Sequence, residues 1–151
     1  MNNIIKKILY TLTVTLQLAT IVGVFVVQYL TNKKAGVMHH VYYRKYQFEN
    51  SIFSSENLLI QKNIAIVLII IFFVIFIYLL KKNKNIFYKV QAGLTFISSF
   101  LIYISMSSRY FTEKLAYHYF IMAFVLVFII QFIVFVITSI HNKNPKNNYL
   151  H

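Results

Sequence analysis

The chain has 151 residues, 59% of them hydrophobic and 12% charged, against roughly 25% charged in a soluble domain. Fifteen residues are Lys or Arg, three are Asp or Glu and none is Cys, which excludes disulfide frameworks, thiol catalysis and thiolate metal sites. The cations stand at the ends of apolar segments, so anchoring at a membrane surface explains them and no nucleic-acid partner is expected.

Met1 to Lys7 is a short basic lead, followed by the apolar run Ile8 to Thr31. A cleaved signal peptide has an apolar core of about 7–15 residues and then a small-x-small site. This run is longer and lacks that site, so it is read as a retained first span. Residues 32–56 form the one long loop. They are too polar to span, and Val37 to Phe48 suits a strand or an interfacial segment. Tyr42, Tyr43, Tyr46 and Phe48 fit the membrane–water boundary, where amphipathic rings collect. Ser54 or Ser55 is the expected N-cap of the next helix, with the anion Glu56 in its first turn.

The second span, 57–80, contains the most apolar stretch of the chain, NIAIVLIIIFFVIFIYLL. It is apolar all round, as a lipid-bound helix is and an amphipathic soluble one is not. A Lys-rich turn at 81–86 leads to the third span, 87–107, the least apolar of the four. Ser108 to Thr112 reads as a turn, with Thr112 as N-cap and Glu113 behind it. The fourth span covers 115–140, and a polar tail with the only Pro is expected to fray.

The expected fold is all-α and a single domain over 1–151. Four transmembrane helices stand in an up-down-up-down bundle, with the long loop between helices one and two. An even number of spans puts both termini on one side. With the termini in the cytoplasm, the inner cations are Lys6, Lys7, Lys81, Lys82, Lys84, Lys89, Lys143 and Lys146. The outer ones are Lys33, Lys34, Arg44, Lys45, Lys62, Arg109 and Lys114. The positive-inside tendency and the shortness of the inner segments favour that orientation. The bias toward Ile, Phe, Tyr, Lys and Asn points to AT-rich coding, hence to a bacterial cell membrane.

Polar side chains inside spans turn toward other helices. Thr13, Gln17, Thr20 and Gln28 form a stripe on the first span; Gln91, Thr95, Ser98 and Ser105 form one on the third; Tyr117, Phe124, Gln131 and Thr138 share a heptad face on the fourth. The second span has none. Spans one, three and four are therefore expected in mutual contact, with span two more exposed to lipid. Gln17 lies nine residues from Ile8, and Gln131 nine from Ile140. Both are about 13 Å from one boundary at ~1.5 Å per residue, within reach of each other.

The other end gathers His39, His40, Tyr43, Arg44 and Glu49 from the loop with Arg109, Tyr117 and His118. Three histidines suggest a metal or haem site. But adjacent His39 and His40 face opposite ways on a strand, and no spaced ligand motif occurs. No catalytic residue, metal ligand or cofactor is assigned. Three functions are compatible with these features. The favoured one is a non-catalytic membrane protein of accessory, sensor or immunity type. It would act through the Tyr/His/Arg-rich loop on the lipid bilayer, on a membrane-protein partner, or as a homo-oligomer. The alternatives are a small transporter or channel using the Gln/Thr/Ser stripe, and a membrane enzyme or haem or metal electron carrier at the His/Tyr/Arg cluster.

Overall fold

A computed structural model describes residues 3–82 and 86–143, and every regular element among them is a helix. These are α1 (Asn3–Lys33), α2 (Ala35–Glu49), α3 (Ser55–Lys81), α4 (Ile86–Ser107), α5 (Arg109–Thr112) and α6 (Tyr117–Lys143). Four stretches are long and apolar enough to cross a membrane: Tyr10–Lys33, Ser55–Lys81, Ile86–Ser107 and Tyr117–Ile140. Helix is the form such sequences take in lipid, because each backbone N–H finds its acceptor within the segment. The core of the Lys-rich turn, 83–85, and the tail from 144 onward lie outside the described residues.

The long loop is the main correction. Val37 to Phe48 is not a strand; it lies within the helix α2. Only Lys34 leaves helical geometry between α1 and α2, at φ −123° and ψ 113°. Its N–H still donates to Leu30 O at 2.8 Å, and Met38 N–H donates to Lys34 O at 2.9 Å. Val37, Val41 and Phe48, four and seven residues apart, turn one face of α2 inward; Val41 is buried and the other two are half-buried.

Ser54 caps α3, its hydroxyl accepting from Asn57 N–H at 3.4 Å, and Glu56 stands in the first turn. Thr112 does not cap the last helix. It ends α5, with its hydroxyl turned back to Ser108 O at 3.3 Å, and α6 begins at Tyr117 rather than 115.

The packing order also differs from the one expected. α3 packs along α4, α4 along α6, and α6 along α1. The central helix α4 has 44% of its span buried, while α1 has only 6%. The second span, 17% buried, is more exposed than the third and fourth as expected, but the first is the most peripheral and packs on α6 and not along α4. The reason α3 packs along α4 is steric. α3 carries no polar stripe, but Phe76 sits where a Cβ on Gly93 of α4 would come within 3.1 Å of its ring. Phe76 also stacks on Phe96 at 6.4 Å. Phe72 meets Phe128, Phe132 and Phe135 of α6 at 5.6–6.2 Å. Where lipid is as apolar as the side chains, close packing of this kind drives helices together.

Two apolar clusters result. One joins Val24, Phe53, Ala65, Ile102, Met106, Tyr117, Phe120, Ile121 and Phe124 at the α2 end. The other joins Phe72, Leu79, Ala92 and Phe135 at the opposite end. The glutamines described next stand beside the second cluster, Gln91 next to Ala92 and Gln131 one turn before Phe135.

Candidate functional site

Three glutamines on three helices are linked in series. Gln17 Nε2 of α1 donates to Gln131 Oε1 of α6 at 3.0 Å. Gln131 Nε2 donates in turn to Gln91 Oε1 of α4 at 2.7 Å, with the Gln91 backbone carbonyl at 3.4 Å. Gln131 is therefore the hub. Gln91 is fully buried, and its own Nε2 has no partner.

The rest of the stripe is spent locally. Thr95 donates to Gln91 O at 2.8 Å, Ser98 to Thr95 O at 2.9 Å and Ser105 to Ile102 O at 2.7 Å. On α1, Thr20 and Thr31 bond back to Leu16 O and Val27 O. Gln28 Nε2 reaches Asn32 Oδ1 at 3.2 Å, while the buried Gln28 Oε1 has no partner. Thr13 is half-buried on the same face. Tyr88 and Ser139 share a bond of 3.0 Å between α4 and α6. These polar groups tie helices to one another or stabilise their own turns, which is the usual use of hydroxyls and amides in lipid.

The cluster at the α2 end divides in two. Tyr117 and His118 are buried at the start of α6; His118 is 1% exposed. Its ring lies 3.9 Å from Tyr117, 5.0 Å from Phe53 and 6.0 Å from Phe48, measured between centroids. Neither ring nitrogen has a hydrogen-bond partner. By contrast His39, His40, Tyr43, Arg44, Glu49 and Arg109 are exposed. His39 and His40 sit on a helix, not a strand, and so stand roughly 100° apart rather than on opposite faces. Among the described residues no group of three or more His, Cys, Asp or Glu is placed to hold a metal. The three histidines therefore do not meet as ligands.

α2 is held at both ends. After it, Asn50 Nδ2 donates to Tyr46 O at 3.0 Å and Ser51 Oγ to Gln47 O at 2.7 Å. Two α3 side chains fasten the following turn: Asn57 Nδ2 to Ser51 O and Gln61 Nε2 to Ile52 O, each at 2.9 Å. Phe48 packs edge-on against Phe53 and Tyr119. Lys45 pairs with Glu49 at 3.7 Å, and Arg44 Nη1 donates to Gln47 at 3.0 Å. Thus fixed, α2 presents Tyr42, Tyr43 and Tyr46 outward, 57–66% exposed, with Met38 beside them.

The Phe48–Phe53 wall over His118 is absent from the sequence reading, because nothing local links residues about seventy positions apart. The inward face of α2 did leave a trace, the spacing of Val37, Val41 and Phe48. At the opposite end Lys82 donates to the Tyr78 hydroxyl at 2.9 Å. That bond, more than the charge interaction with Tyr78, raises the ammonium above the ordinary lysine value. No family model matches the chain, and neither a curated protein nor a solved structure matches it.

Proposed function

We propose that this chain is a small multi-pass protein of the bacterial cell membrane that acts by contact and not by catalysis. Its four long helices cross lipid as an up-down-up-down bundle with both termini in the cytoplasm. α2 is the surface it offers to a partner. The observation that supports this reading most is the asymmetry of α2: Val41 is buried, while Tyr42, Tyr43 and Tyr46 on the other side are exposed. Exposed aromatic residues grouped on a rigid element are what contact surfaces are made of. The glutamines and hydroxyls of the transmembrane stripe bond to one another or to their own helices, and so serve cohesion better than passage of a solute.

The test is complementation in cells lacking the native copy. Tyr42→Ser with Tyr43→Ser and Tyr46→Ser is expected to insert at normal levels yet fail to restore the deletion phenotype. Gln17→Leu with Gln131→Leu is expected to restore it as long as the protein folds. Full restoration by the triple tyrosine variant would remove the proposal. Reporter fusions at Asn83 and at the C-terminus check the orientation, and a cytoplasmic signal at both is expected.

A further inference from the structure

The partner of α2 follows from where its two ends are fixed. The apolar part of α1 runs Tyr10–Lys33. At ~1.5 Å per residue that length uses up the hydrocarbon thickness of a bilayer, so Lys33 and Lys34 stand at headgroup level. α2 starts one residue later. Its far end is set by Phe48, which packs on His118 and Tyr119. Those residues open the apolar stretch Tyr117–Ile140, so they stand at the same boundary. A helix pinned at headgroup level at both ends runs along the boundary instead of projecting into water.

The side chains on α2 match that location. With Val37, Val41 and Phe48 turned inward, a 3.6-residue period places Tyr42, Tyr46, His39 and Tyr43 on the opposite side. These four are exposed. Tyrosine rings collect at the headgroup boundary, and here they form most of one face of a helix whose two ends lie at that boundary. Cations stand at the same end: Lys33 on α1, Lys34 at the α1–α2 junction, Arg44 on α2 and Arg109 on α5 are exposed. Of the acids at this end, Glu49 is paired with Lys45; Glu56 opens α3 and Glu113 follows α5. Arg44 offers a planar fork suited to a phosphate.

We infer that α2 is an interfacial helix whose partner is the anionic phospholipid of its own leaflet, the phosphates held by Lys33, Lys34 and Arg44 and the tyrosine face lying among the headgroups. This rests on the reading of α2 as the contact surface and names what it contacts.

The experiment uses the full chain in detergent and in nanodiscs. Native mass spectrometry with phosphatidylglycerol and phosphatidylcholine in competition is expected to show preferential retention of phosphatidylglycerol. A cation near an anionic surface is worth about fivefold in affinity, so Lys33→Gln, Lys34→Gln and Arg44→Gln are each expected to lower the preference by about that factor. Lys81→Gln with Lys82→Gln, at the other end, is expected to leave most of it. Because the chain has no Cys, Tyr46→Cys gives a single spin label. It is expected to be relaxed more by lipid-soluble oxygen than by a water-soluble nickel chelate in anionic nanodiscs. Equal retention of both lipids, a preference lost with Lys81 and Lys82 instead, or a water-exposed label would overturn the inference. Failure here together with loss of complementation by the tyrosine variant would point to a protein partner. Lipid preference with full complementation would remove the functional reading and leave the lipid contact standing.

Discussion

Replacing Gln131 by Met, which has a similar unbranched shape, cuts both links of the glutamine series at once. Interhelical hydrogen bonds in membranes average about 0.6 kcal/mol and reach about 1.7. Gln131 supplies one to α1 and one to α4. Its loss also leaves the buried Gln91 amide without any partner, a penalty of about 1–3 kcal/mol. The expected destabilisation is therefore about 2–4 kcal/mol. Gln91→Met is predicted to cost far less, about 1 kcal/mol at most. It removes an amide whose Nε2 is already unpartnered, and Gln131 keeps the Gln91 backbone carbonyl within reach at 3.4 Å. With Gln17, Gln91 and Gln131 all replaced by Met, stability is expected to return toward the starting value, because no polar group is then left alone. Equilibrium unfolding in mixed micelles of rising dodecyl sulfate fraction, followed by far-ultraviolet circular dichroism, gives the order. A Gln91→Met cost above that of Gln131→Met would refute the hub assignment, as would a neutral Gln131→Met.

His118→Phe is expected to be neutral or stabilising, by up to about 1–3 kcal/mol, since it removes two unpartnered ring nitrogens from an aromatic surround; a clear loss of stability in the same unfolding series would mean the imidazole has a partner. Gly93→Val is expected to cost about 1–3 kcal/mol through overpacking against Phe76, and Gly93→Ala less because a ring 3.1 Å from the new Cβ has only to shift slightly. Phe53→Ala removes a buried ring beneath α2 and is expected to cost about 3–5 kcal/mol, with amide exchange rising first in 35–49; exchange rising equally along α4 would contradict that local seat. In Tyr78→Phe the Lys82 ammonium loses its hydroxyl acceptor. It is then expected to release its proton at a lower pH than in the parent chain, as followed by nitrogen-15 NMR.

How far the sequence alone leads depends on the kind of force involved. All-round apolar runs flanked by lysines reveal the four long helices because length and composition are set by the bilayer itself. Gln17 and Gln131 are legible as a pair because each is nine residues from an apolar end, and a polar group in lipid has few places to turn. The α3–α4 seam is not legible. It depends on Phe76 fitting the space left by Gly93, and in an unbroken apolar run shape leaves no periodic mark. α2 is ambiguous for another reason. Tyrosines and valines favour strands by propensity, and the tie to α6 through Phe48 that supports the helix comes from far along the chain. The same holds for His118, whose surroundings are provided by Phe48 and Phe53.

The bond from Gln17 to Gln131 joins positions 114 residues apart, and that separation bears on how the protein is made. α1 is made well before α6, its main neighbour among the long helices. Until α6 is made, the Gln17 amide lacks its Gln131 acceptor. A chain halted before residue 117 therefore has the α3–α4 contact available but lacks the α6 surface against which both α1 and α4 pack.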